Sequence, residues 1–207
     1  KRKQKKTDSW YDSFIAAMHN RASMTAPAIV SQLDLTGVNN VLDVGGGSGA
    51  FSIQFVKQNR DLVATVFDLP HVVKMTQTYV EKAGVSGRVR YTGGDYMKDK
   101  DLGSGYDLVF LSAIIHSNSP EINKKLFKKC YSALNSGGRV VVQDFIMDDS
   151  RTTPAMGAVF ALNMLVGTPE GDSYTKSEIS DWLTEAGFKE ISQLAPIGPT
   201  SSVIARK

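Results

Sequence analysis

The chain is poor in the residues that build covalent or metal-held frameworks. Cys130 is its single cysteine, so no internal disulfide and no cysteine-based zinc site can form, and His19, His71 and His116 are too scattered for metal-ligand spacing. No apolar run approaches the roughly 20 residues that a membrane span needs, and the opening KRKQKKTDSW lacks the apolar stretch of a secretory signal. These absences lead to the expectation of a cytoplasmic protein with no membrane partner and no metal. Neither sign of charge dominates: 24 Lys and Arg face 21 Asp and Glu, and five of the basic residues sit in residues 1–6. Beyond that arm the chain is slightly acidic and carries no basic stripe, which makes nucleic acid an unexpected partner and the arm itself a solvated linker.

What is present is a 207-residue chain, 42% hydrophobic, enough for one well-packed domain and short of two. Trp10, Phe14, Ile15 and Met18 recur at helical spacing and predict an amphipathic helix, so residues 1–36 read as linker and helical lead-in and 37–207 as the folded domain. From there, short β-rich runs alternate with 3.6-period stretches. The strands are predicted at 41–44, 62–67, 88–91, 106–111, 139–145, 190–194 and 202–205, and the helices near 50–58, 71–83 and 121–134. Strict alternation implies right-handed crossovers and a mostly parallel sheet covered on both faces, an open three-layer α/β fold. The last two strands are joined by 195–200, too short for a helical crossover, which predicts an antiparallel end to the sheet.

Helix starts are well marked. Ser119-Pro120-Glu121 supplies an N-cap, a first-turn proline and a dipole-compatible acid, and Thr175 with Glu178 reads as a capping box before Ile179, Trp182 and Leu183. Cys130, at helical spacing with Leu126 and Phe127, reads as a small core residue. The stretch 156–166 is apolar nearly all round, so a helix there faces both the core and something further: a ligand pocket, a partner helix or a missing segment.

Chemistry enters at Asp43-Val44-Gly45-Gly46-Gly47-Ser48-Gly49-Ala50, where a strand runs through four glycines into a helix. Residues without Cβ permit positive φ and let a polar ligand approach the backbone at a helix start. Spaced as Gly45-x-Gly47-x-x-Ala50, the loop suits a nicotinamide dinucleotide as well as other adenosyl ligands. Two acids separate the alternatives. Asp68 ends the second strand, where a carboxylate accepts from ribose hydroxyls, a feature dinucleotide enzymes share. Asp95 follows the third strand, where it can accept from the adenine amine while Tyr96 flanks the ring, and a second carboxylate there is not expected for a nicotinamide cofactor.

The ordered series Asp43-x-Gly-Gly-Gly-x-Gly, Phe67-Asp68-Leu69-Pro70, Gly94-Asp95 and a histidine after the fourth strand resembles the S-adenosylmethionine-dependent O-methyltransferases of the acetylserotonin and plant phenolic type, from about Phe14 to the C-terminus. The resemblance implies a Rossmann-like class I methyltransferase fold, a seven-stranded, mostly parallel sheet with an antiparallel last strand, and S-adenosyl-L-methionine as methyl donor. It implies Gly45 and Gly47 against the methionyl part of the donor, Asp68 on the ribose, Leu69 and Tyr96 about the adenine and Asp95 on its amine, with Ser112 where a lysine or arginine often assists.

His116 matches the family's base. It also stands at the carboxyl edge of the sheet, where α/β folds bind ligands, and a positioned base with a pKa near 6.5 suits deprotonation of a phenol with a pKa of about 10. Asp144 matches the orienting glutamate, one methylene shorter. Ser117-Asn118 replaces an acidic-aromatic pair, and Ser173 a second supporting glutamate, with Glu170 and Asp172 as neighbouring substitutes. Phe160, Asn163 and Met164 match the acceptor-lining helix, whose bland alternative is core packing. His19 has no such context, and His71 reads as a first-turn helix residue. Relatives usually carry a helical N-terminal dimerisation domain, so the expectation is either the catalytic portion of a longer protein, one version being a methylation domain of a multidomain synthase, or an enzyme that works without that lid, acting on a small or carrier-bound hydroxylated acceptor. A non-catalytic donor-binding module and an NAD-linked oxidoreductase are the competing readings.

Overall fold

The computed structural model describes residues 8–207. The basic arm at residues 1–6 and the side chain of Trp10 lie outside that description.

Runs of β-branched, aliphatic and aromatic residues buried on both sides make the sheet. Its strands are β1 (Asn40–Val44), β2 (Val63–Asp68), β3 (Val89–Gly93), β4 (Tyr106–Ser112), β5 (Leu134–Asp144), β6 (Lys189–Gln193) and β7 (Ser201–Arg206), in the order β3-β2-β1-β4-β5-β7-β6. β1 to β5 are parallel, and β7 lies antiparallel between β5 and β6. The fold class read from the alternation is the one observed.

Six helices occur among the described residues: α1 (Asp8–Ser31), α2 (Ala50–Gln58), α3 (Pro70–Lys82), α4 (Pro120–Ala133), α5 (Ala155–Gly167) and α6 (Lys176–Glu185). Period-2 alternation splits the strands between two cores. Leu42, Val44, Val109, Leu111, Val140 and Val142 pack with Leu126, Phe127 and Cys130 of α4 and with Ile179, Trp182 and Leu183 of α6. Val41, Ala64, Val66, Leu108, Phe110 and Val141 pack on the opposite face with Ile29 and Val30 of α1 and with Phe51, Phe55 and Val56 of α2. Burial drives the Cys130 thiol far up from its ordinary value, so it behaves as core.

Two expectations need correction. α1 is not a clean amphipathic helix: Ile15 is buried while Phe14 and Met18 are exposed, because its second half packs on the core and its first half overlooks the glycine loop. β5 begins at Leu134 rather than at 139, because Leu134 leaves the helix in an extended conformation and pairs with Tyr106 across a register shift. As the sequence predicts, Ser119 occupies the N-cap of α4, ahead of Pro120 and Glu121; its carbonyl accepts the first helical bond from the Asn123 amide at 3.0 Å, and its hydroxyl makes no cap bond. At α6 the Thr175–Glu178 capping box is complete in both directions.

The strand order reverses between β1 and β4, so the loops leaving Val44 and Ser112 diverge there and open a crevice at the carboxyl edge of the sheet.

Candidate active site

The glycine loop is held from four sides. Gly45 (φ +66°) packs so closely on the segment after β4 that a Cβ would stand 2.2 Å from Ile114 Cδ1. Gly47 (φ +55°) uses the left-handed region to turn its N–H onto Asp68 Oδ2 at 2.8 Å, and its carbonyl accepts from Thr76 Oγ1 at 2.6 Å. A Cβ on Gly47 would meet only Ile15, at 3.9 Å. Beneath the loop, the buried Asp43 carboxylate accepts from Ser52 Oγ at 2.7 Å, and burial pushes its pKa up to about 7. From α1, His19 Nδ1 lies 2.8 Å from Ser48 Oγ, and its ring stacks on Tyr79 at 4.1 Å. Burial, reinforced by Lys82, lowers the His19 pKa. The sequence offered no context for His19; the available signal was its position one turn after Ile15, on the helix face that meets the loop.

Asp68 closes β2. Its Oδ1 accepts from the Leu69 amide at 2.7 Å, and burial raises its pKa despite the two backbone donors. Leu69, 37% exposed, is the residue from which α3 starts. Asp95 stands in the loop after β3 and accepts from the Met97 amide at 3.0 Å, while Lys98 pairs with it at 2.8 Å and lowers its pKa. Tyr96, next in the chain, is half-buried, and its hydroxyl donates to Asn118 Oδ1 at 2.9 Å. Ser112, at the end of β4, donates to Gln143 Oε1 at 2.6 Å.

Beyond Ser112 the chain bends sharply: Ala113 takes φ +57°, and its amide donates to the Gln143 carbonyl at 2.9 Å. A non-glycine residue in that region is under local strain. The bend starts a single 3-10 turn, Ile115–Ser117, which carries His116. His116 Nδ1 stands 2.7 Å from Asp144 Oδ1, with side-chain exposures of 13% and 2%. Asp144 also accepts from the Phe145 amide at 2.8 Å, which fixes its orientation. Phe160 of α5 stacks on Phe145 at 4.0 Å and meets the His116 ring edge-on at 4.9 Å, while the Arg21 guanidinium covers Phe145 at 5.2 Å. Met164, one turn on, is buried, and Asn163 is exposed on the same helix.

The residues around Ser173 divide the supporting work. Ser173 donates to the Gly157 carbonyl at 2.9 Å and so ties down α5. Asp172 reaches His116 through its backbone, donating its N–H to the His116 carbonyl at 3.0 Å, while its carboxylate pairs with Arg151 at 3.0 Å. Glu170 is exposed. Gly171 lies so close that a Cβ would stand 2.2 Å from the His116 carbonyl oxygen. Sequence reasoning missed Gly171, Arg151 and Asn123, whose contacts join segments far apart in the chain. Among the described residues no group of His, Cys, Asp or Glu is placed to hold a metal, and no helix is long and apolar enough to cross a membrane.

The family model of the O-methyltransferase domain matches residues 2–189. Over 180 residues the chain is 38% identical to 3-hydroxy-5-methyl-1-naphthoate 3-O-methyltransferase of Streptomyces sahachiroi, covering 87% of this chain and 52% of that protein. Over 178 residues it is 30% identical to acetylserotonin O-methyltransferase of Gallus gallus, covering 86% of this chain and 50% of that one. Human N-acetylserotonin methyltransferase, solved in complex with SAM, superposes with a TM-score of 0.88 at 25% identity, over 97% of this chain and 56% of its own. The chain thus spans about half the length of the curated relatives it matches. With a family match across nearly the whole sequence, the chain belongs to the O-methyltransferase family.

Proposed function

We propose that this chain is the donor-binding and catalytic portion of an S-adenosylmethionine-dependent O-methyltransferase, with His116 as general base and a small or carrier-tethered hydroxylated acceptor. The reading rests above all on the 2.7 Å His116–Asp144 pair, set beside the glycine loop at the crevice of the sheet. When bound, the donor supplies a methyl group made electrophilic by its sulfonium. The chain's residues fit that donor: Gly47 leaves its Cβ position open to all but Ile15, and Asp68 and Asp95 are two separated carboxylates with acceptor capacity left over. Gly45, Gly47, Asp68, Leu69, Asp95, Tyr96 and Ser112 hold it, with the Ser112 hydroxyl in place of a cation.

His116 does the proton work. With Nδ1 bonded to Asp144, the imidazole is fixed in the tautomer whose Nε2 accepts. Nε2 would take the proton of the acceptor hydroxyl as that oxygen bonds to the methyl carbon, the carbon–sulfur bond breaking with its electron pair left on sulfur and S-adenosylhomocysteine departing, and the buried Asp144 carboxylate would stabilise the resulting imidazolium. Phe145, Phe160 and Met164 form an apolar wall that orients a flat acceptor and excludes water. Asn163 marks the open rim of the same helix. The acceptor is read through the family: the S. sahachiroi relative's name specifies a hydroxynaphthoate, and an aromatic hydroxyl suits this wall.

Calorimetry with S-adenosylmethionine tests donor binding, and labelled donor with a panel of hydroxylated aromatic acceptors tests transfer. The expected result is binding, turnover on a phenolic acceptor, and loss of turnover in His116→Ala with binding retained. Absence of donor affinity removes the reading; binding without turnover on any acceptor leaves a donor-binding module.

A further inference from the structure

Asn118, two residues after His116, is 3% exposed with all its polar groups engaged. Its Oδ1 accepts from the Tyr96 hydroxyl at 2.9 Å, and its Nδ2 donates to Asn123 Oδ1 at 3.0 Å. Asn123, fully buried, donates in turn to the Ile115 carbonyl at 3.0 Å. On the main chain, the Asn118 amide donates to the Ile115 carbonyl at 3.2 Å, and its own carbonyl accepts from the Tyr174 hydroxyl. The side-chain relay has one direction only. A backbone carbonyl can only accept, so Asn123 must present its amide nitrogen to Ile115 and its oxygen to Asn118. Asn118 must then present its oxygen to Tyr96, which is left with the donor role. Burial raises the Tyr96 pKa, which keeps that proton in place.

The relay therefore runs from the loop after β3, through α4, to the residue immediately before His116. Resting on the donor reading above, the geometry points to Asn118 as a positioning residue: it locks the Tyr96 ring that flanks the donor's adenine and couples that ring to the turn carrying His116. Buried polar chains of this kind hold a unique geometry because each broken link strands a partner in a low-dielectric interior.

The test is a double-mutant cycle on donor affinity, using Tyr96→Phe and Asn118→Ala with calorimetric titration of S-adenosylmethionine and S-adenosylhomocysteine. Tyr96→Phe keeps the ring and removes only the hydroxyl, so it stays informative even where Asn118→Ala folds poorly. Each single variant is expected to weaken both nucleosides by roughly three- to tenfold, the range of one hydrogen bond, and the double variant to be no weaker than the worse single one. Asn118→Asp keeps an acceptor for Tyr96 but sets its second oxygen against the Asn123 oxygen, so it is expected to lose affinity as Asn118→Ala does. Unchanged affinity in Tyr96→Phe, or fully additive losses, overturns the coupling even if melting temperatures fall. A wild-type chain that binds neither nucleoside removes the donor reading, and the inference with it, whereas normal wild-type binding with silent variants removes the inference alone.

Discussion

Two buried acids set the chemistry of single residues in this protein, in opposite ways. Asp144 is buried against a partner, and its value lies in holding His116. On the proposed mechanism, Asp144→Asn keeps the shape while removing the charge that would support an imidazolium, so turnover is expected to fall on the order of 100-fold or more with donor affinity unchanged, read by steady-state kinetics beside calorimetry. Asp43 is buried without a cation, and burial pushes its pKa from 3.8 up to about 7. Between those values the folded state keeps a proton that the unfolded chain has released. The acid's contribution is therefore complete below pH 3.8 and is lost as pH rises through about 7. Asp68, also raised by burial, adds to the same slope. Asp43→Asn stays neutral at every pH, so its stability relative to wild type is expected to improve by on the order of 2–4 kcal/mol from acid to alkaline conditions. Urea unfolding at about pH 4.5 and about pH 8 measures this, and an equal difference at the two pH values contradicts it.

At the scale of elements, the site depends on how loop ends are pinned. Gly171 sits against the His116 carbonyl, and because the obstruction is backbone rather than a flexible side chain, Gly171→Ala must displace the loop. The Asp172 N–H then loses the His116 carbonyl, and a displacement near 1 Å at a catalytic group costs about 100-fold in rate. That variant is expected to lose turnover while still binding donor, and unchanged kinetics would show that the turn is pinned elsewhere. The Thr175 cap is a stability device: Thr175→Ala removes the hydroxyl that accepts from the Glu178 amide while the backbone N–H at 175 keeps Glu178 Oε2, and it is expected to cost about 1 kcal/mol in denaturant unfolding with kinetics unaltered.

On the scale of the whole molecule, stability and exposure separate cleanly. The sheet buries aliphatic residues on both faces, whereas α5 buries only Gly157 and Met164 and leaves Met156, Val159, Leu162, Leu165 and Val166 exposed. Leu183→Ala, in the core against α4, is expected to cost about 2–5 kcal/mol, and Val166→Ser, at 82% exposure, under about 0.5 kcal/mol. Comparable losses at the two positions would mean that α5 packs far more tightly than its exposure implies.

Alternation of strand and helix, four glycines at a strand end and paired cap residues are local signals, each written in a few adjacent positions. They were enough to read the three-layer sheet, the antiparallel end and the capping box, and to nominate the series Gly45, Gly47, Asp68, Asp95 and His116 that the proposed function uses. Other features are non-local. His19 meets Ser48 across 29 residues, His116 meets Asp144 across 28, and Tyr174 reaches Asn118 across 56. Periodicity says which face of an element is apolar but not which distant polar group faces it. A buried hydrogen bond depends on position to a few tenths of an ångström. The sequence alone therefore determined the fold and the carboxyl-edge crevice it opens, while packing of α1, α4 and the 168–175 loop decided which distant groups Asn118, Asp172 and His19 meet.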